Sequence, residues 1–218
     1  MKLFVLGATG GVGRKIVEEA VRRGHDVRAL VRSSLDVAGV ERVDVVRADS
    51  VDDPRALAKL DGSDVVVSCL GLRRKNARNP FSALTSPPDL CASTMTKLVP
   101  AMKQRGIKRI LVVSAAGVGE SRPRVSLVFR AVIAVSKIGK SYDDLDAMER
   151  VLRASDLDWL APRPVSLTND DAKGNVVVVD RYRLTATITR ADVAHYLLDR
   201  MTDAMPFVDR TPMIANDV

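Results

Sequence analysis

The chain has 218 residues, 46% of them hydrophobic, and a formal net charge of +7 at neutral pH. That is enough apolar material for a substantial core, and the length makes one unit spanning residues 1–218 the default. No apolar run approaches a membrane span, the charges are scattered, aromatics are only 4% and no nucleic-acid motif appears, which argues against nucleic-acid and membrane partners.

The smaller features follow the same plain reading. Arg73-Arg74-Lys75 with Arg78, the densest basic cluster, is expected to be a solvated loop. Cys69 and Cys91 form no CxxC pair and are expected to be reduced structural thiols. No metal-ligand cluster is found. No signal peptide precedes the first strand, so a cytoplasmic location is expected.

The chain opens on MKLFVLGATGGVG. The apolar run Leu3 to Leu6 predicts a strand starting at Lys2, and it leads straight into Gly7, Gly10 and Gly13. From Val12 to Arg23 the residues Val12, Ile16, Val17, Ala20 and Val21 recur at helical spacing, with Gly24 as the expected C-cap. Strand, glycine-rich turn and helix is the layout that holds a dinucleotide pyrophosphate. Gly10 lets the backbone approach a phosphate, and Gly13 lets the helix pack on the sheet. The helix N-terminus offers N–H groups and a positive dipole end, and Thr9 adds a hydroxyl donor.

A second strand is expected at Asp26 to Val31. Sites selective for NAD carry an acidic residue at the end of this strand to bind the ribose hydroxyls. Arg32 and Ser33 stand there instead. A guanidinium and a hydroxyl suit a 2′-phosphate, so NADP(H) is expected over NAD(H).

Further along, strands are expected at Val43–Ala48, Asp64–Leu70, Arg109–Ser114 and Leu157–Pro162. Helices are expected at Pro54–Leu60 and Leu90–Gln104, with a mostly apolar helical stretch from Val125 to Arg153, broken near Gly139. Continuous Val/Ile/Leu strands suit a parallel sheet covered on both faces. The expected fold class is therefore α/β, a doubly wound parallel sheet of the Rossmann type. Val176–Val179, Thr185–Ile188 and a helix over Ala191–Arg200 follow, and residues 165–189 with the C-terminal tail form a small lobe. Ligands on such sheets bind at the carboxyl ends of the strands. Those ends carry Asp49-Ser50, Leu70-Gly71 and Ser114. Asp49 suits the adenine amino group, Gly71 lets the backbone pass the adenosine ribose, and Ser114 falls at the nicotinamide end.

The segments GATGGVGR (7–14), LVRS (30–33), RADSVDD (47–53), VVSAAGVG (112–119), ERVLRASDLDWLAPRP (149–164) and TRADVAHYLL (189–198) carry a resemblance over nearly the whole chain. It is to the atypical, NmrA-like short-chain dehydrogenases/reductases, the NAD(P)H-binding group that includes biliverdin/flavin reductase. The resemblance implies a doubly wound fold, bound NADP(H) and often a reductase activity. It implies cofactor contacts at Gly7, Thr9, Gly10, Gly11, Val12, Arg32, Ser33, Asp49, Ser50, Leu70, Gly71 and Ser114. The Arg163-Pro164 strand end, with Val165 and Ser166, is implied to lie near the nicotinamide.

The departures bear on chemistry. Short-chain dehydrogenases normally use a Tyr-x-x-x-Lys pair. Counting four residues back from Glu149, where related members place that Lys, gives Leu145, and four further back is Ser141. Histidines that relatives similar to biliverdin/flavin reductase carry are replaced at Leu145 and Ser166, and His25 and His195 are expected to be structural. A flavin or quinone can take its proton from water, so an NADPH-dependent reductase of a planar small-molecule acceptor is expected. Ser114 would hydrogen-bond the substrate or nicotinamide, and Tyr142 or Lys140 are the nearby candidates for an acid or orienting group. The other reading is a non-catalytic NADP(H) sensor acting through a protein partner. A sugar-nucleotide epimerase is weaker, since it needs the absent pair. For Val125 to Val135 the expectations are core packing or a wall of the acceptor pocket; a membrane-surface helix is set lower.

Overall fold

The structure, a computed structural model, describes residues 1–183 and 185–217. β1 (Lys2–Leu6) shows why the sheet is central. Leu3 and Val5 enter one buried cluster and Phe4 and Leu6 the other, so the strand is covered on both faces. β2 (Asp26–Val31), β3 (Val43–Arg47), β4 (Val65–Ser68), β5 (Arg109–Val112) and β6 (Asp158–Leu160) join it in the order β3-β2-β1-β4-β5-β6. All five pairings are parallel. This is the expected Rossmann arrangement. The chain builds outward from β1 to β3, then crosses back to β4, and the reversal opens a crevice at the carboxyl ends of β1 and β4.

Helices complete the two layers. α1 (Gly11–Arg22) and α6 (Arg190–Arg200) place Ile16, Val17, Ala20, Val193, Ala194 and Leu197 on one face. α2 (Pro54–Leu60), α3 (Leu90–Gln104) and α5 (Ile138–Arg153) cover the other through Leu60, Met95, Leu98, Met102, Met148 and Leu152. Asp53 caps α2 by accepting from the Arg55 N–H at 2.8 Å, with Pro54 as the first helical residue. The side chain of Asp89 does not cap α3. The buried Asp144 of α5 does so instead, accepting from the Cys91 and Ala92 N–H groups at 3.0 and 2.9 Å.

The apolar stretch divides at Ser136-Lys137 into α4 (Leu127–Val135) and α5, a few residues ahead of the expected break. Ser126 caps α4, accepting from the Phe129 N–H at 3.3 Å. Core packing over Val125 to Val135 holds in part: Val125 and Ile133 are buried and Phe129 is half-buried against both clusters, while the rest of α4 faces outward or sits at the edge.

The C-terminal part forms two small sheets. β7 (Arg163–Pro164), β11 (Met213–Asn216) and β9 (Val176–Val178) run in the order β7-β11-β9, and β8 (Ser166–Thr168) pairs with β10 (Thr187–Thr189). Thr189 caps α6 by accepting from the Asp192 N–H at 2.9 Å. Asp192 in turn accepts from the Lys173 and Gly174 N–H groups and from the Asn216 amide, which ties β11 to the start of α6.

Candidate cofactor cleft

A cleft of about 950 Å³ lies along the carboxyl ends of the central strands. Gly7, Thr9, Gly10, Gly11 and Val12 line it at the turn between β1 and α1. Gly7 adopts φ +75°, and a Cβ there would lie 2.7 Å from the Cys69 carbonyl. A Cβ on Gly13 would lie 2.1 Å from the Gly7 oxygen. Gly13 therefore shapes the turn from behind and is not among the lining residues. No side chain caps α1, so its first-turn N–H groups are left for a ligand. The residues present thus fit a dinucleotide pyrophosphate: the turn has no room for a Cβ at Gly7 or Gly13, and Gly10 and Gly11 leave the cleft floor bare beside uncapped N–H groups.

Arg32, Asp49, Ser50, Leu70 and Gly71 also line the cleft. β4 and β5 stop at Ser68 and Val112, earlier than the sequence suggests, so Cys69–Gly71 and Val113–Ser114 are loop residues facing the cavity. Ser33 is exposed and does not line the cleft. The cluster at Arg73 is not simply a solvated loop. Arg73 and Arg74 line the cavity, and Arg73 Nη2 donates to Thr9 Oγ1 at 3.3 Å. Arg190 comes from the opposite side: its Cδ and Nε lie where a Gly11 Cβ would approach to 2.6 Å, and Nη1 donates to Asn169 Oδ1 at 2.8 Å. Lys97 bonds Ser50 Oγ at 3.4 Å and pairs with Asp52 at 3.0 Å. Asp49 is the one carboxylate among the lining residues, so the field over the cavity favours an anionic ligand.

The far end is apolar, with Phe129, Ile138, Tyr142 and Leu145 along the wall. Phe129 meets Tyr142 and Tyr182 edge-on at 6.1 and 5.3 Å between ring centroids. Ser114 lines the cavity, but its hydroxyl donates to Glu149 Oε1 at 2.6 Å. Glu149 is fully buried and also accepts from Arg163 Nε at 3.0 Å and Nη2 at 2.5 Å. Arg163 in turn donates to Glu120 at 2.7 and 3.1 Å. Burial alone would raise the Glu120 carboxyl, yet the Arg163 guanidinium beside it brings it down to about 2. Tyr142 is buried and its hydroxyl donates to the Ala116 carbonyl at 3.2 Å. Burial pushes this phenol above its ordinary value. The protons of both hydroxyls are therefore committed inside the protein.

The remaining expected positions are elsewhere. Lys140 is exposed and does not line the cavity. Pro164 is buried in β7, which pairs with β11, and Val165 is buried in the core. Ser166 Oγ is 2.5 Å from Tyr182 Oη. None of these three lines the cleft. His25 lies 3.4 Å from the N-terminal amine and His195 lies 3.6 Å from Glu19, both outside the cleft. Both cysteines are free thiols, and burial raises Cys91 above its ordinary value. No cluster able to hold a metal is present among the described residues. Sequence reasoning set Arg73 aside as part of a solvated loop and passed over Arg190, whose only signal is a basic residue after a helix cap. Ser141 carries a sharper one. It lines the cleft, and its buried Oγ has no hydrogen-bond partner among the described residues.

Three comparisons set these features in context. An uncharacterized chloroplast protein of Arabidopsis thaliana is 29% identical over 187 residues, 81% of this chain and 63% of that protein. The chain thus spans less than two thirds of that relative's length. The solved structure of ChuY, described as an anaerobilin reductase from Escherichia coli O157:H7, superposes with a TM-score of 0.77 at 22% identity, covering 99% and 97% of the two chains. A short-chain dehydrogenase/reductase from Veillonella parvula in complex with NADP gives 0.73 at 19% identity, covering 98% and 93%. These two likenesses bear on the fold. A model of the NAD(P)H-binding family matches residues 7–204, and the chain belongs to that family.

Proposed function

We propose that the protein is an NADPH-dependent reductase of a planar acceptor such as a flavin or quinone. The observation that carries this reading is the composition of one continuous cleft. It has a glycine cradle and a ring of cations at one end and an aromatic, apolar wall at the other. Gly7, Thr9, Gly10, Gly11 and Val12 hold the pyrophosphate, Asp49, Ser50, Leu70 and Gly71 the adenosine, and Arg32 the 2′-phosphate. The dinucleotide supplies the hydride; the chain supplies binding, orientation and exclusion of water. Phe129, Ile138 and Leu145 bound the acceptor's flat face. Ser141 Oγ offers a hydrogen bond to the nicotinamide ribose or to the acceptor. The C-terminal sheets and residues 165–189 form the substrate-side lobe.

No lining side chain is placed here as a proton donor, because Ser114 and Tyr142 already donate to Glu149 and Ala116. Water protonates the acceptor once it is reduced, which suits flavins and quinones and not aldehydes or ketones, whose reduction leaves a strongly basic alkoxide. The same observation favours a second reading, an NADP(H) sensor without turnover. Oxidation of NADPH followed at 340 nm with a panel of flavins and quinones separates the two. Turnover that falls on Ser141→Val supports the reductase; micromolar binding with no turnover on any acceptor supports the sensor; absence of NADPH binding overturns both.

A further inference from the structure

We propose that α4 is a lipid-contact helix that lays the protein on an anionic membrane surface. α4 turns its apolar residues the wrong way for a core helix: Leu127, Val128 and Val135 are 76%, 67% and 71% exposed. Ala131 and Ala134 are exposed as well. At 100° per residue these five positions share one arc of about 120°, while Phe129 and Ile133 point inward on the opposite side. Phe81, 61% exposed, extends the patch, because the neighbouring Pro80 carbonyl accepts from the Lys137 N–H at 2.9 Å just past the helix end.

Charge identifies the occupant. Between Ser121 and Tyr142 there are five cations and no acidic residue, and the loop from Gly71 to Pro88 is likewise basic without an acid. Arg124 precedes the helix, Arg130 borders the apolar arc and Lys137 follows it. All three are exposed, and none has an ion pair among the described residues. A second copy docked on this face would bring these cations against their own duplicates, which opposes self-association. A surface that takes branched apolar side chains and compensates a cationic rim is an anionic bilayer. The contact is peripheral: among the described residues no helix is long and apolar enough to cross a membrane. Phe129 on the inner side of α4 lines the cleft, so the contact brings the apolar end of the cavity to the lipid surface. This proposal departs from the expectation of no membrane partner.

Sedimentation of the full chain with vesicles tests this without cofactor or acceptor, so it stands or falls apart from the reductase reading. The expected result is binding to phosphatidylcholine vesicles containing a third phosphatidylglycerol, little binding to phosphatidylcholine alone, and loss of binding as salt rises. Arg130→Ala with Lys137→Ala weakens the partition about thirty-fold, the equivalent of roughly 1 kcal/mol per cation. Leu127→Ser with Val135→Ser weakens it at least tenfold, with an unchanged thermal melt because both side chains are exposed. No binding to the anionic vesicles at low salt overturns the proposal. So does binding that the Leu127/Val135 pair does not affect, and so does a dimer in sedimentation velocity that this pair dissolves, since the face then belongs to a second copy.

Discussion

Replacing Glu149 with Gln tests whether the buried ion network behind the cleft holds its floor. Both carboxylate oxygens are used: Oε1 by Ser114 and Arg163 Nε, Oε2 by Arg163 Nη2 and by Arg153 Nη2 at 2.9 Å. In glutamine one acceptor becomes a donor that faces guanidinium N–H groups, and Arg163, 1% exposed, loses its buried counter-charge. Breaking such a pair from one side costs roughly 3–5 kcal/mol. Arg163 keeps the half-exposed Glu120, so the lower end applies, about 3 kcal/mol. For a chain of this size that lowers Tm by roughly 6–12 °C. Circular dichroism at 222 nm during heating, on Glu149→Gln beside the double variant Glu149→Leu with Arg163→Met, gives the comparison. The double variant removes both charges and loses less stability than the single one. A drop below 2 °C for Glu149→Gln, or a double variant less stable than the single, refutes the reasoning.

Other expectations follow from the same geometry. Gly13→Ala forces a methyl group into the Gly7 carbonyl, costs roughly 1–3 kcal/mol or more, and abolishes NADPH binding measured by fluorescence titration. Arg32→Asp shifts preference from NADPH toward NADH by at least tenfold in the ratio of Kd values, as expected on losing a charge-assisted contact to the 2′-phosphate; an unchanged ratio removes Arg32 from that role. Hydrogen bonds from Arg22 at 2.6 Å, joined by Arg23, lower the Glu19 carboxyl from 4.5 to about 2. A depressed carboxylate stabilises above its unfolded value and loses that contribution as pH falls through its folded one. Thermal melts therefore show Tm falling between pH 4.5 and 2, and Glu19→Gln lowers Tm at pH 7 and flattens that slope.

The sheet was legible because its cause is local. β1, β4 and β5 are short apolar runs, and a run buried on both faces has few alternatives to a parallel strand. The glycine turn was legible for the same reason, since close approach demands a missing side chain at fixed spacing. What stayed hidden depends on long-range partners. Nothing near Glu149 in sequence announces that Ser114, thirty-five residues earlier, donates to it. β11 follows Pro212 and is four residues long, so only its pairing with β7 and β9 makes it a strand. The apolar run in α4 suggested core packing at positions that the fold leaves exposed, because hydrophobicity reports what a residue avoids and not whether the fold hides it.

β11 has one further consequence. By pairing with β7 on one side and β9 on the other, it clamps the segment that leaves the Rossmann sheet after β6, with the Arg163 and Val165 N–H groups donating to the Pro212 and Ile214 carbonyls at 2.8 and 3.1 Å. Residues 166–212 therefore leave and return at one fixed frame. Within that interval α6 packs on α1 through Val193, Ala194 and Leu197, so insertions are tolerated in exposed loop positions such as 170–172, between β8 and β9. The frame behaves as a socket: a change in that loop need not disturb the register of the strands that carry the glycine turn.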